Sequence, residues 1–114
     1  MILNYGTYNG KRVIGRKAIE AMRRIHTKPD VQDFCWGAQG NYHSYGLGPD
    51  IFNSNNESML ITPGIISHEG FGTCCLMIDF EEKFVAVWAS QFYDQQWHIH
   101  ALRNVASIIW SGII

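Results

Sequence analysis

The chain of 114 residues lacks the features that mark several classes of protein. No apolar run approaches the ~18 residues that cross a bilayer, so we expect no membrane-spanning segment. The first residues show no basic end followed by an apolar run, which predicts no secretory signal. Three cysteines are an odd number, and two of them are adjacent. This pattern is not a disulfide framework and favours a reduced, cytoplasmic protein.

The composition that is present is that of a folded domain. Hydrophobic residues make up 46% of the chain and charged residues 17%, which argues against disorder. A chain of this length can bury a modest core. We therefore expect one domain that spans residues 1–114.

Charge is small in total but unevenly distributed. The net charge is −1, yet residues 1–28 hold seven of the nine lysines and arginines, against a single acid, Glu20. Such asymmetry is compatible with a nucleic-acid surface, with one half of the chain packing on the other, or with a solvated helix face. No recognition motif accompanies the basic residues, so we do not expect nucleic acid as the partner.

Periodicity predicts a first helix over residues 16–26. Its apolar residues recur at helical spacing, at Ala18, Ile19, Met22 and Ile25. Residues 2–10 are expected to be an irregular opening segment, because glycine and asparagine interrupt them. Residues 30–41 are expected to form a loop.

The second half of the chain predicts mainly strands. A strand is expected over residues 42–47, a turn over residues 53–58 and a Pro-Gly turn at 63–64. Residues 71–80 and 84–92 predict a hairpin around the charged turn 81–83. A second helix is expected over residues 95–111, with Asp94 as its N-cap and Leu102, Val105 and Ile109 on its apolar stripe.

Both faces of the predicted hairpin are apolar. Cys75 and Met77 alternate with Leu76 and Ile78, and the second strand alternates in the same way. Such a sheet needs cover on both sides. The fold class predicted is α+β, with an antiparallel sheet of about three to five strands flanked by helices.

The order of these elements resembles a known family. A helix is followed by Y-G-L-G, then H-E-G-F-G-T, a hairpin with an acidic turn and a C-terminal helix. The opening I-L-N-Y-G-T-Y-N-G-K-R fits the same pattern. The chain thus resembles the C-terminal part of the serine β-lactamase and penicillin-binding-protein superfamily, and most of all the class C β-lactamase-related hydrolases and esterases. The resemblance covers nearly the whole chain but only about the last third of a family member.

This resemblance implies a set of site residues. His68, Glu69 and Gly70 align with the family's third motif, so His68 would face the substrate or assist proton transfer. Gly70 would let the substrate approach the strand, and the N–H of Phe71 would donate to an oxyanion. Glu69 and Tyr45 would contact the substrate. For Glu69 a variable middle position, and for Tyr45 an aromatic core position, are the structural alternatives.

The family's nucleophile motif is missing. None of the seven serines has a lysine three positions later, so Ser-x-x-Lys is absent from this chain. The resemblance then implies a truncated serine-hydrolase domain that is inactive alone or forms part of a split site. The alternative is a stand-alone small-molecule-binding or oligomerisation module that uses the same sheet. A nucleic-acid binder with a basic helix is the third hypothesis.

Other chemically capable residues predict no metal or cofactor site. His98 and His100 diverge on a helix, and Cys74 and Cys75 point to opposite faces of a strand. Cys35 stands in a predicted loop without the spacing of a thiol hydrolase. We therefore expect no metal and no cofactor, with a small-molecule ligand close to His68 as the remaining possibility.

The last strand predicts self-association. In the family, strands from the N-terminal part of the domain cover the strand that corresponds to V-A-V-W-A-S, and this chain lacks that part. The strand contains no proline and no charge that would block pairing. We therefore expect a homo-oligomer, most simply a dimer.

Overall fold

The computed structural model of the protein describes residues 1–31, 43–52, 59–70, 73–91 and 101–114. Within these residues the chain forms two antiparallel sheets and two helices, which confirms the α+β class. In chain order the elements are β1 (Thr7–Tyr8), β2 (Lys11–Arg12), α1 (Arg16–Met22), β3 (His43–Tyr45), β4 (Asp50–Phe52), β5 (Ile66–Gly70), β6 (Cys74–Asp79), β7 (Phe84–Trp88) and α2 (Arg103–Ser111). Neither described helix has the length and apolar character that a bilayer crossing requires.

The larger sheet is a simple meander of five strands in the order β3-β4-β5-β6-β7. Each strand is antiparallel to the next, so neighbours in the sequence are neighbours in the sheet. The number of strands lies within the predicted range. This order makes β5 a central strand and β7 an edge of the described sheet.

The predicted hairpin around residues 81–83 is confirmed, with shorter strands than expected. β6 ends at Asp79 and β7 begins at Phe84. The Asp79 carboxylate closes the turn by accepting the backbone N–H groups of Glu81 and Glu82, each at 3.0 Å. Such side-chain-to-backbone bonds are typical of aspartate at a turn.

The opening segment is more regular than predicted. β1 lies within residues 2–10, which were expected to be irregular, and forms a small hairpin with β2, which begins at Lys11. Asn9 and Gly10 connect them and have positive φ angles of 46° and 73°. An Asn-Gly pair with positive φ at both positions suits a two-residue hairpin turn, because its twist matches that of the strands.

Strand β4 was not predicted, whereas the strand expected over residues 42–47 corresponds to β3. β4 has three residues, all of them buried, and pairs with both β3 and β5. Three residues are too short to show alternation, so the sequence pattern gave no signal for this strand.

Helix α1 is shorter than predicted, because it ends at Met22 and not at residue 26. The backbone leaves the helix there, and the His26 N–H donates to the Tyr45 carbonyl of β3 at 2.8 Å. Only Ile19 of the predicted apolar stripe is fully buried, and Ile25 is exposed. Tertiary hydrogen bonding to β3 thus replaces the last helical turn.

Helix α2 covers one face of the sheet. Its predicted end at Ser111 is confirmed, while its predicted start and the Asp94 N-cap lie outside the described residues. The buried stripe is Leu102, Ala106 and Trp110, not the expected Leu102, Val105 and Ile109. With Phe52, Met59, Ile65, Cys75, Met77 and Ala86, this stripe forms the main core.

The opposite face of the sheet is only partly covered. A second cluster of Ile51, Ile66 and Ile78 packs against Ile2, Leu3 and Phe80. Beyond that cover, three apolar side chains of β6 and β7 remain exposed, namely Leu76 by 37%, Val85 by 43% and Val87 by 72%. The predicted need for cover on both faces is therefore met on one face and half met on the other.

Candidate functional site

His68 occupies the middle of β5, on the partly covered face of the sheet. Successive side chains of a strand point to opposite faces, so His68 shares its face with Ile66. Its cross-strand neighbour on β6 is Leu76, and the next in the row is Val87 of β7. His68 is exposed, whereas Ile66 and Ser67 are buried. The imidazole thus stands at the border between the covered and uncovered parts of this face.

A groove of about 270 Å³ opens beside His68. The sheet supplies its floor through Ile66, Leu76 and Ile78. The remaining lining residues come from three separate segments and from β5 itself: Ile2, Met22, Gly48, Pro49, Ser67 and His68. The lining is therefore mainly apolar, with the imidazole as its titratable group.

An arginine next to this groove connects two of the segments that line it. The Arg23 guanidinium lies 3.7 Å from the centroid of the Phe80 ring and donates to the Tyr5 hydroxyl at 2.8 Å. The rings of Tyr5 and Phe80 are themselves 5.3 Å apart. Because Arg23 directly follows α1, these contacts join the N-terminal segment, the end of α1 and the β6–β7 turn. Arg23, one of the seven basic residues in positions 1–28, thus packs against the second half of the chain.

Glu69 and Tyr45 lie on the face opposite His68. Glu69 pairs with Cys75, and Tyr45 is in register with Asp50 and Ser67, so both follow the face that α2 covers. Burial first, and then the nearby charges of Glu69 and Asp50, raise the pKa of Cys75 to about 12. The structure therefore does not bring Glu69 and Tyr45 together with His68.

Gly70 shares its face with His68 and has a packing role there. It pairs with Cys74 of β6, and a Cβ atom added at Gly70 would collide with the Cys74 sulfur. A side chain at position 70 would therefore require the Cys74 side chain to move, independently of any substrate. Cys74 is half-buried, and its neighbour Cys75 is buried on the opposite face, as predicted.

Several predicted residues lie outside the described residues. Phe71, whose N–H was assigned to the oxyanion, is one of them. Cys35, His98 and His100 are others. Within the described ranges, no group of three or more histidine, cysteine or acidic side chains could hold a metal ion.

The described surroundings of His68 offer a site for a ligand. The described cross-strand neighbours of His68 are apolar, and the nearest carboxylate in sequence, Glu69, points to the other face. A general base normally needs a partner that orients it and a nucleophile within hydrogen-bond reach. An imidazole at the rim of an apolar groove can instead hold the polar end of a ligand.

No pattern in the sequence indicates that Ile2, Met22 and Pro49 line a groove. Ile2 lies in the segment that was predicted to be irregular and Met22 in the predicted first helix, neither with a binding role. Pro49 lies between the predicted strand 42–47 and the predicted turn 53–58. The available signal was indirect, because a hairpin that is apolar on both faces requires cover from elsewhere. The N-terminal residues Ile2 and Leu3 provide part of that cover.

No protein-family model and no curated protein matches this chain. The resemblance to β-lactamase-related hydrolases therefore stays a prediction that depends on the motif order in the sequence.

Proposed function

We propose that the chain provides the ligand-binding wall of a serine-hydrolase-like site and that it does not hydrolyse esters by itself. The observation that supports this proposal is the position of His68 at the rim of an apolar groove. The resemblance assigns the same residue to the third motif. Binding sites of this kind combine a mainly apolar lining with a few polar groups that orient the ligand.

The missing nucleophile limits the chemistry of this chain. Acyl transfer by the family mechanism needs a serine and a lysine that activates it, and no Ser-x-x-Lys is present. A second polypeptide could supply these residues and complete a split site. Alone, the chain binds the acyl part of a substrate and leaves it intact.

The groove suits a short acyl chain with a polar head at His68. Its volume of about 270 Å³ is at the small end for a ligand pocket. Burying six methylene groups contributes about 5 kcal/mol, and association costs at least about 4 kcal/mol. The net free energy is only about −1 kcal/mol, so we expect a dissociation constant on the order of 0.1 M.

Sodium octanoate is a suitable probe for a titration followed by two-dimensional NMR. We expect saturable shifts at His68, Leu76 and Ile78. The variant Leu76→Gln should weaken binding about fivefold to tenfold, because it places a polar amide on the groove floor. The matched control Leu60→Gln changes an exposed leucine outside the groove and should bind normally. Saturable shifts centred elsewhere, or equal losses in both variants, would refute the groove as the site.

Ester hydrolysis gives a separate test of the missing nucleophile. The isolated chain should not hydrolyse p-nitrophenyl esters above background, because removal of a nucleophile and its base normally costs several powers of ten in rate. Saturable turnover that disappears in His68→Ala would show that the chain contains its own catalytic mechanism.

A stand-alone binding or oligomerisation module is the second candidate, and the exposed edge strand β7 favours it. Failure to find any chain that restores hydrolysis, together with octanoate binding, would support this candidate. We also propose a homo-oligomeric protein of the cytoplasm. The free thiols of Cys74 and Cys75 suit a reducing compartment.

A further inference from the structure

The backbone of β7 directs two sets of hydrogen-bonding groups away from the sheet. The Phe52 N–H donates to the Ile65 carbonyl at 3.1 Å, so the backbone groups of Ile65 point at β4. In antiparallel ladders this direction alternates from residue to residue. The registers of β5 with β6 and of β6 with β7 carry this alternation to β7. The backbone N–H and C=O of Ala86 therefore point at Met77, while those of Val85 and Val87 point away from the sheet.

The same two residues expose their side chains. Val85 is 43% exposed and Val87 is 72% exposed, on the face that α2 does not cover. The five residues of β7 include no proline and no charged side chain. Natural edge strands usually have such features, which prevent pairing with another chain.

We propose that a second copy of this chain pairs with β7 in an antiparallel arrangement whose two-fold axis passes by Ala86. Val85 of each copy then lies opposite Val87 of the other, and all five strand residues are paired. The apolar row of His68, Leu76 and Val87 continues into Val85, Ile78 and Ile66 of the second copy. The exposed face is therefore self-complementary in this register, as an isologous interface requires.

Charge supports the antiparallel orientation. Lys83 and Glu82 directly precede β7, and its other end is followed by uncharged Ala89, Ser90 and Gln91. Antiparallel pairing places the two Lys83 residues at opposite ends of the interface, about 20 Å apart at the rise of an extended strand. A parallel pair would bring like charges side by side.

The proposed interface is small. An edge of five residues is about 17 Å long and buries roughly 300–400 Å² per copy, about half of the ~800 Å² typical of a stable complex. The dimer should therefore be weak, with half-association at a chain concentration on the order of 0.1 mM. This inference does not depend on ligand binding in the groove.

Amide hydrogen exchange and sedimentation test the proposal on the intact chain. Between 20 µM and 1 mM protein, exchange at Val85 and Val87 should slow about fourfold, while exchange at Ala86 stays the same. The mass should rise toward twice 13.0 kDa over this range. A mass of one chain at 1 mM, or unchanged exchange at both valines, would overturn the proposal.

Two variants of matched exposure locate the interface. Val87→Lys should remain monomeric at 1 mM. Ile108→Lys, which changes a side chain that is 71% exposed on α2, should still dimerise. Association that survives Val87→Lys, or that Ile108→Lys abolishes, would place the interface elsewhere. If Val87→Lys does not fold, the exchange pattern of the unmodified chain decides.

Discussion

Replacing Asp79 with asparagine tests how the hairpin is attached to the C-terminal helix. The Asp79 carboxylate is fully buried. One oxygen accepts two backbone N–H groups of the turn, and the other accepts the indole N–H of Trp110 at 2.9 Å. An asparagine has one oxygen and one NH₂ group, so it cannot accept from both sides. In its better orientation the NH₂ group faces the Trp110 N–H, and two donors meet in the core.

The cost follows from this mismatch. Asp79→Asn loses a hydrogen bond to a charged acceptor and leaves a buried indole donor unsatisfied, which together cost about 2–3 kcal/mol. This is a large part of the total stability of about 5–15 kcal/mol that is usual for a domain. In a Trp110→Phe background the donor is absent, and the same substitution should cost about 1 kcal/mol.

Urea denaturation of the four proteins of this double-mutant cycle is the assay. The expected coupling energy between Asp79 and Trp110 is about 1–2 kcal/mol. Additive costs within about 0.4 kcal/mol would refute the view that the indole bond attaches α2 to the hairpin.

The same carboxylate predicts a response to acid. Burial by itself raises the pKa of Asp79, but hydrogen bonds from Thr62, from the turn N–H groups and from Trp110 outweigh it and lower the pKa below its usual value. Its contribution is therefore present above the unfolded pKa of about 3.9 and is lost as pH falls through the lower folded value. The unfolding free energy of Asp79→Asn should fall less steeply than that of the parent below about pH 4.

Two further predictions concern the cysteines of β6. Because the pKa of Cys75 is raised to about 12 by burial and nearby charges, stability should fall by about 1.4 kcal/mol per pH unit above the unfolded pKa of about 8.5. Urea denaturation at pH 8.5 and 10 should show this loss in the parent and in Cys74→Ala but not in Cys75→Ala; an unchanged slope in Cys75→Ala would contradict the assignment. Gly70→Ala should cost about 1–3 kcal/mol through its clash with the Cys74 sulfur, and Cys74→Ala should recover most of that loss in thermal denaturation. A cost that persists in the double variant would place the constraint on the backbone of Gly70.

The elements that the sequence predicted well are those whose residues show their own period. The β6–β7 hairpin has alternating apolar residues around a charged turn, and both its position and its facing pattern are confirmed. The end of α2 at Ser111 is also confirmed.

The elements that were predicted with wrong bounds or not predicted depend on partners far away in the sequence. α1 ends early because His26 pairs with Tyr45, and β4 exists because β3 and β5 lie on both sides of it. The β1–β2 hairpin is different, because the Asn9-Gly10 pair is a local signal for a two-residue hairpin turn and was present in the sequence. Tertiary pairing is thus the cause of the first two errors.

The candidate site shows the same limit. A motif read along the sequence places His68 and Glu69 side by side, but a strand sends neighbouring side chains to opposite faces. The alternation needed to separate them was present in the sequence. The groove beside His68 was not predictable in this way, because Ile2, Met22 and Pro49 meet there only through the fold.

The cover that Ile2 and Leu3 give to the second cluster has a consequence during synthesis. Ile2 leaves the ribosome roughly 75 residues before Ile78, which at the usual rates of translation is a delay of about 4–15 s. During this interval the two apolar side chains have no β6 to pack on. The second cluster can therefore form only after the β6–β7 hairpin has emerged.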